Sequence, residues 1–118
     1  MKYLIDTHIF LWMISSPEKL SLKVTKIIEN KNNILFLSVA SCWEVVIKYM
    51  IKKLTLPESP DIYIPKQVKE NSITFLSIDY RYTLNILNIP EHHKDPFDRI
   101  KISQIIINKI PNISKDSV

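Results

Sequence analysis

Asp6, Glu44, Asp95, Asp98 and Asp116 are the acids whose surroundings could turn a carboxylate to chemistry. Asp6 closes the β-prone run Lys2-Tyr3-Leu4-Ile5 and precedes a helical pattern. It is therefore either an N-cap, a role Asp favours, or a carboxylate presented at a strand end. Glu44 lies in Trp43-Glu44-Val45-Val46-Ile47, and a carboxylate in so apolar a stretch must be paired, metal-bound or facing a cleft. Ser41 and Glu44 have the spacing of a capping box, but a helix beginning at Ser38 puts Glu44 near the second turn with no capping work. In Asp95-Pro96-Phe97-Asp98, Asp95 reads as N-cap, Pro96 as the first helical residue and Asp98 as an acid favoured by the helix dipole. Capping and metal binding are compatible for that pair. Asp116, in Ser114-Lys115-Asp116-Ser117, is by its local sequence an ordinary turn residue. Asp79 reads as another helix cap, while Glu29, Glu58, Asp61, Glu70 and Glu91 sit in polar surroundings typical of solvated charge.

The elements that would carry these acids follow from periodicity. Residues 2–5 form a strand, and Ile9, Phe10, Trp12 and Met13 recur at helical spacing until Ser16-Pro17. Leu20, Val24, Ile27 and Ile28 mark a second helix, residues 34–38 a buried strand, and residues 39–54 a long helix. With its three prolines, the stretch 56–65 reads as a loop, followed by a short helix around Val68. Residues 73–78 form a third strand, Asp79 caps a helix over residues 82–87, Asp95-Pro96 opens a strong helix, and residues 110–114 form a fourth strand. Strands alternating with helices predict an α/β fold, a parallel sheet covered by helices on both faces. Sites in such sheets form beyond the C-terminal strand ends, where Asp6 and Asp116 would both arrive.

Composition narrows the function classes. The chain has 118 residues, 46% hydrophobic and 24% charged, as expected of one folded domain. Its longest apolar stretch, residues 9–14, is far below the roughly 20 residues of a membrane-spanning helix, and no signal-peptide pattern opens the chain, so a cytoplasmic location is expected. The single cysteine, Cys42, cannot form an internal disulfide and reads as a small buried hydrophobe in a reducing compartment. His8, His92 and His93 have no cysteine partners at zinc spacing, so any metal must be held by oxygen. His92 and His93 read as exposed or structural, and Trp12 and Trp43 as core residues. A net charge of +4 leaves a basic surface around any acidic site, which favours a polyanionic partner.

Several segments together carry a resemblance. They are Tyr3-Leu4-Ile5-Asp6-Thr7-His8 with Leu11-Trp12, Ser38-Val39-Ala40-Ser41-Cys42-Trp43-Glu44, Lys53-Leu54-Thr55-Leu56-Pro57, His92-His93-Lys94-Asp95-Pro96-Phe97-Asp98-Arg99, and Ser114-Lys115-Asp116. In this order the chain resembles the PIN-domain ribonucleases, specifically the toxin subunits of VapBC-type toxin-antitoxin pairs. The resemblance implies a three-layer α/β/α fold with a parallel sheet of four or five strands. It also implies that Asp6, Glu44, Asp98 and Asp116 hold metal, with Asp95 as auxiliary ligand or helix cap. All-oxygen ligation suits Mg²⁺ or Mn²⁺. The implied reaction is metal-assisted hydrolysis of RNA phosphodiesters, leaving 3′-hydroxyl and 5′-phosphate ends. Arg99 is expected either at a substrate phosphate or paired with a carboxylate. A cognate antitoxin and a homodimer are the implied protein partners. Family members continue past Asp116 with a short helix and a last strand, so residues 1–118 are expected to form one PIN-like domain lacking that strand. The alternatives are a truncated, catalytically weak PIN-like protein acting only by binding antitoxin or RNA, and a DNA-directed nuclease of similar fold.

Overall fold

The computed structural model describes residues 1–90, 95–114 and 117. In chain order they form β1 (Lys2–Ile5), α1 (Thr7–Ser15), a 3-10 turn (Pro17–Lys19), α2 (Leu22–Glu29), β2 (Ile34–Ser38), α3 (Val39–Met50) and α4 (Pro60–Glu70). Then come β3 (Ile73–Leu76), α5 (Tyr80–Asn85) running into a 3-10 turn (Ile86–Asn88), α6 (Pro96–Asn108) and β4 (Asn112–Ile113). The strands form one parallel sheet in the order β3-β2-β1-β4.

The register explains the two buried faces. Tyr3 pairs with Leu35 and Leu35 with Ile73, while Ile5 pairs with both Leu37 and Ile113. With a side-chain period of two, these residues share one face. They join the larger core with Ile9 and Phe10 of α1, Val24 of α2, Val45 of α3, and Tyr63, Ile64 and Val68 of α4. Leu4 and Phe36 point the other way, where α5 and α6 pack Tyr82 and Ile100 against Ala40 in a second cluster. The three-layer α/β/α expectation therefore holds.

Polar contacts fix α6 over the sheet. Gln104 is fully buried, and its Nε2 donates to the carbonyls of Leu76 and Ser77 at 3.4 and 3.2 Å. Ser103 Oγ donates to the Tyr82 carbonyl at 2.7 Å. These bonds set where the first turns of α6 project.

Some sequence expectations shift. The stretch 56–65, read as a loop, is helical from Pro60, with Pro65 inside α4. A proline inside a helix costs about 3 kcal/mol, but burial of Tyr63, Ile64 and Val68 returns about 1.5–3 kcal/mol for each side chain and outweighs it. Helix α3 stops at Met50 rather than residue 54, because Lys52 takes a left-handed conformation (φ 61°) and Lys53 N–H bonds back to the Lys48 carbonyl. The third and fourth strands are shorter than expected. Trp43 is not a core residue. It is 58% exposed, because α3 buries Ser41, Glu44 and Val45 and leaves position 43 on the outer arc. Its ring meets Phe97 edge-on at 5.1 Å.

Candidate functional site

The site is built where β1, α3 and α6 meet. Asp6 follows β1, held there by its N–H, which donates to the Ile113 carbonyl of β4 at 2.8 Å. It occupies the N-cap position of α1 but makes no side-chain cap hydrogen bond. Its carboxylate turns instead to Lys101, with Oδ1 2.8 Å from Nζ. His8 Nδ1 lies 3.9 Å from Oδ2 on the other side.

Glu44 reaches the same point from α3. That helix begins after Ser38, whose Oγ accepts from Ala40 N–H, so Glu44 has no capping role. Its Oε1 accepts from the Thr7 hydroxyl at 2.7 Å and its Oε2 from Lys48 at 2.8 Å, one helical turn on. Asp98 comes from the first turn of α6. Asp95 caps that helix, its Oδ1 accepting from the N–H groups of Phe97 at 2.8 Å and Asp98 at 3.4 Å. Of the two roles open to Asp95, the structure shows the cap.

Lys101 joins these three acids. Its side chain is 8% exposed, and Nζ lies 2.8 Å from Asp6, 3.6 Å from Glu44 Oε1 and 3.7 Å from Asp98 Oδ1. Sequence reasoning missed it, although the signal was present: a charge between Ile100 and Ile102 must find a partner by the argument already applied to Glu44. Thr7, 3% exposed, was missed as the residue that orients Glu44.

The charges shape each other. Burial works against the Asp6 carboxylate, but the hydrogen bond and charge of Lys101 outweigh it and hold its pKa below the ordinary value. Glu44 is likewise opposed by burial and held low by Lys48, Thr7 and Lys101. Burial raises the pKa of Asp98; Lys101 pulls it back, while Asp95, Asp6 and Glu44 push it further up. For Lys101, burial favours loss of the proton, yet the carboxylates of Asp6, Glu44 and Asp98 raise its pKa. Cys42 stands apart from the cluster, its thiol pushed by burial up to about 11.

A cavity of about 350 Å³ opens beside the cluster, between α6 and β4, bordered by Asp6, Asp98, Lys101, Asn112 and Ser114, with Ile102 and Ile105 as its apolar wall. Asp116, expected as the fourth ligand, lies outside the described residues, as do His92 and His93. The Arg99 guanidinium donates to the carbonyls of Ile86, Ile89 and Pro90 at 3.1, 3.4 and 3.2 Å and so ties α6 to residues 86–90.

All-oxygen donors of this kind suit a hard divalent cation, and Asp6, Glu44 and Asp98 bring enough negative charge for one. As the side chains stand, however, no three acidic, imidazole or thiol groups among the described residues are arranged to hold a metal ion. An ammonium occupies the point where the carboxylates converge. No helix among the described residues is long and apolar enough to cross a membrane.

Comparison with known proteins adds a family and a fold. Residues 3–118 match the PIN domain family. Ribonuclease VapC16 of Mycobacterium tuberculosis is 35% identical over 57 residues, a stretch taking in 48% of this chain and 40% of that protein. The match thus spans less than half of either sequence. Among solved structures, the chain is similar to one in the crystal structure of VapBC2 from Rickettsia felis bound to a DNA fragment from their promoter. The TM-score is 0.66, with 95% of this chain and 86% of that one covered at 14% identity, a likeness of fold.

Proposed function

Because the chain belongs to the PIN domain family over residues 3–118, we propose that it is a divalent-metal-dependent endoribonuclease acting as the toxin of a toxin-antitoxin pair. The observation that carries this reading is the convergence of Asp6, Glu44 and Asp98, from three separate elements, within 2.8–3.7 Å of a single point at the C-terminal edge of the sheet. Asp116 is the proposed fourth acid. These residues would hold Mg²⁺ or Mn²⁺, which when bound supplies a water of lowered pKa for attack at phosphorus.

The chain's own residues prepare that site. Thr7 and Lys48 hold the two oxygens of Glu44, with Oε1 3.6 Å from the Lys101 ammonium that Asp6 also meets. Asp95 anchors the first turn of α6 and with it Asp98. The net charge of +4 favours a polyanion around the acidic hole. RNA as the substrate is supported by the name of the ribonuclease relative, and a protein partner by the VapBC2 neighbour. Exposed Trp43, Phe75, Leu84 and Leu87 leave apolar surface for an antitoxin and a second copy of the chain.

A second reading is favoured by Lys101, which already offsets part of the charge of the carboxylates: a scaffold that binds antitoxin or RNA without cutting. One experiment separates the two. Purified chain is incubated with structured RNA and with single-stranded DNA, in Mg²⁺ and in EDTA, beside Asp6→Asn and Glu44→Gln. The enzyme reading expects RNA fragments with 3′-hydroxyl and 5′-phosphate ends, abolished by EDTA and reduced roughly 100-fold or more in each variant. Folded protein that is equally inactive in wild type and variants would leave only the scaffold.

A further inference from the structure

We propose that Lys101 is a tethered cation standing in the metal position of the carboxylate cluster, so that a divalent ion enters only by displacing the ammonium. The inference rests on the proposal that Asp6, Glu44 and Asp98 are cation ligands. Its own support is geometric. The ammonium lies 2.8, 3.6 and 3.7 Å from carboxylates carried by the β1–α1 junction, α3 and α6, the position a bound cation would share. An ammonium and a divalent ion cannot share that point, since like charges a few Å apart repel strongly inside a protein.

The surroundings also give the ammonium somewhere to go. Lysine carries a compact charge on a flexible four-carbon stem, unlike the rigid fork of arginine. The neighbouring cavity of about 350 Å³ offers Ile102 and Ile105 along its wall and Asn112 and Ser114 as polar groups. The stem can lie on the isoleucines while the charge leaves the point between the three carboxylates and moves toward Asn112 and Ser114, in a cavity that Asp6 and Asp98 border on the cluster side. Two properties follow: the metal-free cluster is partly compensated by Lys101, and its affinity for a divalent ion is weakened by the work of expelling that ammonium.

The test is Mn²⁺ binding to the whole chain, read by calorimetry and by the electron paramagnetic resonance of free Mn²⁺, with no activity measurement. Lys101→Met and Lys101→Gln remove the charge with different side chains, so misfolding of one leaves the other to decide. Both should bind Mn²⁺ more tightly than wild type by roughly tenfold or more, because the competing charge is gone. Lys101→Arg, which keeps the charge, should bind no more tightly than wild type. Adding Asp6→Asn to Lys101→Met should cancel the gain, tying it to this cluster. If wild type, Lys101→Met and Lys101→Gln bind Mn²⁺ equally, Lys101 is no competitor, although the carboxylates remain a metal site. If folded Lys101→Met and Lys101→Gln bind no Mn²⁺ at all, the metal reading falls and this inference with it.

Discussion

Replacing Lys101 by Met in metal-free buffer should destabilise the fold by about 2 kcal/mol, a figure set by which carboxylate loses its partner. Removing one member of a buried ion pair costs about 3–5 kcal/mol, since the other charge stays behind uncompensated. Here that range is an upper bound. The Asp98 side chain is 58% exposed and water screens it. Glu44, 11% exposed, keeps its hydrogen bonds from Thr7 and Lys48. Asp6, 21% exposed, loses its closest partner and keeps the backbone N–H of Thr7 and His8 at 3.9 Å, so the penalty reduces to one partly buried carboxylate. For a chain of this size, about 2 kcal/mol corresponds to a fall in Tm of roughly 8 °C. Urea and thermal unfolding at pH 7 with EDTA would measure it.

The pH dependence adds a second check. Asp6 and Glu44 have folded-state pKa values below their ordinary ones, so their contribution is present above about pH 4 and is lost as pH falls through the folded values. The gap between wild type and Lys101→Met should therefore narrow below about pH 4. Asp98, with its raised pKa, acts in the opposite direction but is mostly exposed and contributes little. Equal stability of the two proteins at pH 7, or a gap unchanged by acid, would refute the argument that Lys101 holds these carboxylates together.

Two further outcomes test the supporting structure. Thr7→Val removes the buried 2.7 Å hydrogen bond to Glu44 while preserving shape; it should lower stability by about 1–2 kcal/mol, seen as a shift in the urea midpoint without a change in slope. Lys109 ends α6 in the left-handed region at φ 54°, in a chain without glycine; Lys109→Gly should raise stability by about 0.5–1 kcal/mol by relieving the Cβ clash, and a lower thermal midpoint would contradict this.

Much was legible in the sequence because local chemistry decided it. Short β-prone and apolar runs between helical patterns located the four strands found among the described residues. Asp79 and Asp95 could be read as caps since an N-cap bonds to N–H groups only two or three residues away. Glu44 could be marked as a charge in need of a partner because its neighbours are apolar. None of this required knowledge of the fold.

What only the tertiary structure decided were meetings between distant residues. Asp6 and Lys101 are 95 positions apart, Thr7 and Glu44 37, and no local pattern states which charge another will find. The packing of Tyr63, Ile64 and Val68 likewise overrode the proline signal in α4, and the burial of one arc of α3 turned Trp43 outward. Sequence periodicity assigns residues to a face, but the partners on that face depend on strand order and helix placement. The acids were therefore visible from the sequence, while the lysine standing among them emerged only once β1, α3 and α6 were brought together.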